Sequence, residues 1–280
     1  MISFVTVTYN SNRTIAACLA AATGQPDSEV IVVDNDSQDG TVDGIRKQFP
    51  GVTLIESGRN LGFNGGNSLG VQAAKGDILV FLNPDAILPE NYSETIERLF
   101  QELPDIGIIG VRTVYEDGAP QPSGNMFPTL GSLLYEHSAY SNFSPHSRAY
   151  AGYTIKGWDR KTSRRVDAVS GACMAVRRAD LDAIGGLELG YFMYYEEFDL
   201  ARSMRDKLRK GAYFTADIEV VHAAGESTKT QDTNKINGIY LASRDFYIKK
   251  FHGGSFLLVF KTLAWVINKA HGLASRLRRG

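Results

Sequence analysis

At 280 residues, with 43% hydrophobic and 22% charged side chains, the chain can form one large or two ordinary domains around a sizeable core. A formal net charge of -1 excludes broad electrostatic binding to nucleic acid, so no nucleic-acid partner is expected. The two cysteines, Cys18 and Cys173, sit in apolar contexts without metal-ligand spacing and read as core residues of a reducing compartment.

The N-terminus runs straight into a strand, residues 2–8, without the charged and cleavable segments of a secretory leader. Ile15, Cys18, Leu19 and Ala22 then recur at helical spacing. Residues 29–33 form a second strand closed by Asp34-Asn35-Asp36-Ser37, with Ser37 or Asp39 placed to cap a further helix. A third strand is expected over 52–56. The glycine-rich stretch 62–70 leads into a helix through 71–74, followed by strands over 78–82 and 106–111. This alternation predicts an α/β fold with a mostly parallel sheet flanked by helices. Residues 117–165 are rich in Ser, Pro, Tyr, Asn and His without a steady period, the signature of a functional or mobile loop. Beyond them 166–176 reads as a strand, 178–184 and 199–208 as helices, and 212–216 and 219–221 as extended. From residue 237 the chain reads as helical, broken at Gly253-Gly254, and no run reaches membrane-spanning length. A single domain with a C-terminal helical appendage is the simplest organisation.

Four clusters can carry chemistry, and each follows or interrupts a strand. Leu82-Asn83-Pro84-Asp85 puts a carboxylate just beyond a strand, where open α/β sheets bind ligands, and an acid there suits a hard divalent cation. Asp85 could instead cap the helix that Pro89-Glu90 opens. Thr8-Tyr9-Asn10 closes the first strand and suits a flat ring, although Tyr9 also fits ordinary packing. Asp34 and Asp36 can accept from a pyrimidine N3–H or can serve turn chemistry alone.

Arg59-Asn60-Leu61-Gly62-Phe63-Asn64-Gly65-Gly66-Asn67 offers backbone N–H groups and a helix start to a diphosphate, or is a structural loop. It is neither a dinucleotide fingerprint nor an ATP phosphate loop. In Tyr191-Phe192-Met193-Tyr194-Tyr195-Glu196-Glu197-Phe198-Asp199-Leu200, acids lie among aromatics whose burial would raise a carboxyl pKa toward general-base range. A solvated helix N-terminus is the alternative. His222 ends a strand ahead of Ala223-Ala224-Gly225, and with Asp85 it could form a mixed oxygen and nitrogen site for Mn2+ or Mg2+.

In order, Val7-Thr8-Tyr9-Asn10, Val32-Val33-Asp34-Asn35, residues 60–67, Leu82-Asn83-Pro84-Asp85-Ala86, Ser170-Gly171-Ala172-Cys173-Met174, Gly185-Gly186-Leu187, residues 192–200 and Val221-His222 resemble the family 2 glycosyltransferases, and among them bacterial rhamnosyltransferases of surface polysaccharide assembly. The resemblance covers roughly residues 2–225. It implies a GT-A fold over 1–236, with a Rossmann-like nucleotide-binding half (about 1–115), an acceptor-binding half (about 116–236) and a C-terminal helical region (237–280). It also implies an inverting transfer from a nucleotide-sugar donor, dTDP-rhamnose favoured and UDP-sugars next, to a glycan or lipid-linked saccharide.

Carried over by motif, Thr8, Tyr9, Asn10, Asp34, Asp36, Arg59, Asn64, Gly65, Asn67, Asn83 and Asp85 would bind the donor. Asp85 and His222 would hold a divalent metal, Glu197 would be the catalytic base, and Gly171, Glu188, Glu196 and Asp199 would meet the acceptor. The chain departs from the family at three places: Asn83 replaces the first acid of the D-x-D motif, Glu197 stands where the family has Asp, and Leu189 replaces an acid after Glu188. The longer Glu197 keeps open a rival reading as a catalytically silent nucleotide- or carbohydrate-binding subunit. The apolar and basic stretch after Ser255, ending in Arg276, Arg278 and Arg279, resembles an interfacial helix, which would place a cytoplasmic enzyme on the inner membrane face. Its alternative is packing on the catalytic domain or on a second subunit.

Overall fold

Continuous apolar runs bounded by turn residues become the centre of a sheet in the computed structural model, which describes residues 1–223 and 232–277. Ala224-Gly225 after His222, together with Arg278 and Arg279, lie outside the described residues, as does the side chain of Arg276. In chain order the first elements are β1 (Ile2–Thr8), α1 (Ile15–Thr23), β2 (Ser28–Asp34), α2 (Thr41–Gln48), β3 (Thr53–Glu56), α3 (Gly62–Ala73), β4 (Ile78–Leu82), β5 (Ala86–Ile87), α4 (Tyr92–Glu102) and β6 (Ile106–Val114). There follow β7 (Gly124–Asn125), α5 (Leu130–His137), α6 (Tyr140–Phe143), α7 (Arg148–Tyr153), β8 (Arg164–Val166), β9 (Ala168–Val169), β10 (Cys173–Arg177), α8 (Arg178–Ile184), α9 (Glu196–Leu208), β11 (Gly211–His222), α10 (Thr233–His252) and α11 (Gly254–Leu277).

Among the described residues the main sheet has nine strands in the order β3-β2-β1-β4-β10-β6-β11-β5, with β8 beside β11. β1, β2, β3 and β4 are mutually parallel, β6 and β11 run with them, and β10 is inserted antiparallel between β4 and β6. Side chains alternate across β1: Phe4 packs toward α1 and α4, and Val5 toward α3. Both faces are covered, which is why these strands read as unbroken hydrophobic runs. Cys18 and Cys173 are buried among apolar neighbours, and burial pushes both thiols up to about 12.

Three stretches differ from the sequence expectation. The glycine-rich stretch is the greater part of α3 itself rather than a loop ahead of it. A Cβ on Gly66 would lie 2.7 Å from a Val7 methyl, and one on Gly70 2.2 Å from a Val5 methyl, so the glycines form the face by which α3 lies on β1. Close packing there outweighs the helix propensity of about 1 kcal/mol that each glycine forgoes. The span 166–176 is not one strand, because Ser170-Gly171-Ala172 interrupts it between β9 and β10. The segment 117–165 contains three short helices, the first opened by a capping box in which Thr129 and Ser132 bond reciprocally.

Candidate active site

The sheet brings the carboxyl ends of β1, β2 and β4 to one edge, with Thr8 and Asp34 in register. Chain order reverses between β1 and β4, the kind of switch point where α/β sheets open a crevice. A cavity of about 320 Å³ lies there. Tyr9, Asn35 and Asn60 form one wall, Asn83, Asp85 and His222 line another part, and Phe192, Tyr194, Glu196 and Glu197 face in from a third element.

Asp85 meets His222 through backbone pairing. The short strand β5 adds antiparallel to the end of β11, with Ala86 opposite His222, and the Ala223 N–H donates to the Asp85 carbonyl at 3.1 Å. His222 Nε2 then lies 3.2 Å from Asp85 Oδ1 and 3.2 Å from Asn83 Nδ2. Asp85 does not cap a helix, because α4 begins only at Tyr92 behind Asn91. Among the described residues no three His, Cys, Asp or Glu side chains gather as a metal cluster, so the protein supplies this pair as its candidate ligands. One carboxylate oxygen and one imidazole nitrogen fit a hard or borderline divalent ion that completes its shell with phosphate oxygens.

The acid wall rests on an uncommon backbone. Tyr194 and Tyr195 both take left-handed φ, 73° and 69°, directly before α9. Such conformations cost about 1–3 kcal/mol each and persist where surrounding structure holds them. Here Tyr195 packs against Tyr240 and Tyr247 of α10 at ring separations of 5.5 and 5.6 Å, and Ser243 Oγ donates to the Met193 carbonyl at 2.8 Å. Glu196 and Glu197 thereby stand in the first turn of α9, facing the cavity. The helix dipole there favours ionised acids. Burial outweighs it: Glu197 is pushed up to about 7, and Glu196 is raised well above the usual carboxylate range by burial and by the neighbouring Glu197 charge. Glu196 Oε2 is buried with no hydrogen-bond partner among the described residues.

The sequence profile of glycosyl transferase family 2 matches residues 3–185. The chain belongs to that family. It is 29% identical over 243 residues to an N-acetylglucosaminyl-diphospho-decaprenol L-rhamnosyltransferase of Mycobacterium tuberculosis, covering 80% of this chain and 76% of that one. It is 26% identical over 224 residues to the low-salt glycan biosynthesis hexosyltransferase Agl10 of Haloferax volcanii, covering 75% of this chain and 64% of that one. The fold resembles the mannosyltransferase PcManGT of Pyrobaculum calidifontis, solved with GDP-Man and Mn2+, with a TM-score of 0.55, 17% identity, and coverage of 99% and 79% of the two chains. It also resembles GalNAc-T7, solved with UDP, GalNAc and Mn2+, with a TM-score of 0.57 and 16% identity, although the match spans only 43% of that protein and 79% of this one. The protein is thus a glycosyltransferase of the GT-A fold.

Within this glycosyltransferase the residues named from sequence divide between the cavity and its supports. Tyr9, Asn83, Asp85, Gly171, Glu196, Glu197 and His222 line the cavity. Thr8 and Asp34 do not: the Thr8 hydroxyl donates to Asp34 at 2.8 Å, and Asp34 also accepts from the Ser37 N–H and hydroxyl, stapling the turn after β2. Asn10 and Asp36 are exposed turn residues with left-handed φ, and Arg59 is exposed. Asn64 donates to the Glu188 carbonyl at 2.8 Å and so ties α3 to the loop before α9, whereas Asn67 donates to the Phe63 carbonyl at 3.0 Å within α3 itself and Gly65 abuts Leu61. Glu188 and Asp199 share Lys250 of α10, each at 2.8 Å, and Asp199 also accepts from the Tyr191 hydroxyl at 2.9 Å.

Asn35, Asn60, Phe192 and Tyr194 line the cavity without having been singled out. Asn35 was flanked by the two acids that drew attention, and its Nδ2 donates to the Gly62 carbonyl at 3.0 Å. Gln121, whose amide grips His222, carried no sequence signal at all.

Proposed function

We propose that the protein is an inverting transferase that moves L-rhamnose from dTDP-rhamnose to a glycan or lipid-linked saccharide in cell-surface polysaccharide assembly. The observation that carries this reading is one cavity with a proton-accepting carboxyl, Glu197, and an Asp85–His222 pair suited to the diphosphate end of a donor. The rhamnose assignment is supported by the similarity to the mycobacterial L-rhamnosyltransferase.

In this scheme the acceptor hydroxyl oxygen bonds to C1 of the donor sugar while its proton passes to Glu197. The C1–O bond to the diphosphate breaks, and its electron pair leaves with the nucleoside diphosphate. Asp85 and His222 would hold a Mn2+ or Mg2+ ion, which neutralises charge on the departing diphosphate when bound. Tyr9, with Asn35 and Asn60 beside it, would receive the nucleoside, and Thr8, Asn10, Asp34, Asp36 and Arg59 would shape or approach that end. Asn83 belongs to the diphosphate side, and Asn64, Gly65 and Asn67 would serve the donor by setting α3. Gly171 and Glu196 would meet the acceptor, with Glu188 and Asp199 holding the loop that carries them. Residues 1–115 and 116–236 would thus be the donor and acceptor halves.

A thermal-shift panel of dTDP, UDP, GDP and CDP, each with Mn2+ or with EDTA, tests the donor. A nucleotide at a hundred times its dissociation constant stabilises by about 2.7 kcal/mol. The expected result is a dTDP-selective, metal-enhanced shift. A UDP preference would keep the reaction class and replace the sugar, and no shift with any nucleotide would overturn the enzyme's proposed donor class.

The region 237–280 would add a membrane-facing surface. Among the described residues no helix is long and apolar enough to cross a membrane. α11 nonetheless exposes Leu258, Val259, Trp265, Val266 and Leu273, and residues 253–280 contain no Asp or Glu. Lys269 lies 5.9 Å from the Trp265 ring. This chemistry favours anionic lipid on the inner face of the cytoplasmic membrane. Full-length protein should co-sediment with phosphatidylglycerol vesicles and Trp265→Glu should not; equal sedimentation of the two, or none by wild type, would overturn the surface.

A further inference from the structure

We propose that Gln121 sets the tautomer of His222 and thereby turns the Asp85–His222 pair into a cation-binding site; the cation half rests on the metal reading above. Gln121 lies in the segment between β6 and β7, is 6% exposed, and is held by its own N–H donating to the Thr113 carbonyl at 2.9 Å. Its amide meets His222 twice. Nε2 donates to the His222 backbone carbonyl at 2.6 Å, and Oε1 lies 2.9 Å from ring Nδ1.

The first contact orients the amide. A backbone carbonyl only accepts, so the Gln121 NH2 must face it and Oε1 must face the ring. Oε1 carries no hydrogen, so the proton of that contact belongs to Nδ1. In the neutral imidazole Nε2 is then a bare lone pair. That lone pair lies 3.2 Å from Asp85 Oδ1, with both side chains at or below 10% exposure. Two acceptors converging in a buried place repel each other and attract a cation. Asn83 Nδ2, 3.2 Å from Nε2, is the hydrogen-bond donor that faces the ring. With the opposite tautomer, Nε2–H would donate to Asp85 and the pair would close on itself. Gln121 therefore acts as a positioning residue, through His222 rather than by touching substrate. Outer partners of this kind commonly change metal affinity by about 10- to 100-fold.

Nitrogen-15 NMR of histidine-labelled full-length protein reads the tautomer directly, with the His222 signal identified by its loss in His222→Ala. The neutral ring of His222 in the metal-free wild type should be the Nδ1–H tautomer; an Nε2–H tautomer would overturn the proposal without any variant. Gln121→Met should give mixed tautomers and about 10- to 100-fold weaker Mn2+ binding by electron paramagnetic resonance, measured alone and with dTDP. Unchanged tautomer and unchanged Mn2+ affinity in Gln121→Met would overturn the role of Gln121. A wild type that binds no Mn2+ would overturn the metal reading instead, while the NMR comparison still decides whether Gln121 controls the ring.

Discussion

Replacing Glu197 with Gln is expected to lower turnover by about 10²- to 10⁴-fold while nucleotide binding stays within a few-fold of wild type. The substitution keeps size and shape but removes the group that accepts the acceptor proton. Since burial pushes Glu197 up to about 7, the wild-type rate should rise with pH through that value and level off above it. Stability gives an independent sign. A carboxyl that holds its proton more tightly when folded contributes stability at low pH, and the contribution is lost as pH rises from the ordinary glutamate value of 4.5 through about 7. Glutamine has no charge to bury, so Glu197→Gln should melt above wild type at pH 8 and close to it at pH 4. Undiminished turnover would remove Glu197 from the base role. Turnover lost together with nucleotide binding would point instead to a collapsed cavity.

The second large effect is expected from Gly62→Ala, although Gly62 bears no reactive group. Its φ of 73° costs an L-residue about 1–2 kcal/mol. A Cβ there would also lie 2.2 Å from the Phe192 carbonyl oxygen and 2.9 Å from the Phe192 Cα, which are backbone atoms without rotamers to yield. The Phe63 N–H donates to that same carbonyl at 2.7 Å, so the start of α3 and the acid loop are joined at this point. Relief must move one of them, and the loop leads within a few residues to Glu196 and Glu197 through the two left-handed tyrosines. A displacement of about 1 Å there would cost on the order of a hundredfold in rate, with about 2–4 kcal/mol lost from folding. Gly51→Ala, with nothing within 4 Å of its added Cβ, should behave as wild type in both assays. Wild-type melting and turnover in Gly62→Ala would show that the two segments are not coupled.

Much of the sheet was legible because burial on both faces writes itself as apolar runs, as in Ile78–Leu82. The acid stretch was legible because carboxylates beside consecutive aromatics are unusual in a solvated turn. The glycines of α3 were misread as a loop, since small residues serve a close helix–sheet contact and a close ligand contact equally well. Asn35 and Asn60 stand inside stretches whose acids and glycines carry the stronger signal, and only their placement beside Tyr9 brings them to the cavity. Gln121 was invisible for a different reason: its partner, His222, lies 101 residues further along the chain.

By itself the sequence determined the strand and helix alternation of the first third, the burial of both cysteines, and the candidate carboxylates at strand and helix ends. These follow from periodicity and turn chemistry, which act over a few residues. The tertiary structure alone decided which side chains share the cavity. Asp85 meets His222 because β5 pairs with the end of β11. The two acids hold their place because α10 packs on the loop before α9, with Ser243 bonded to Met193 and the Phe246 ring against Gly190. Such long-range pairings depend on how whole elements dock, and no local pattern encodes them.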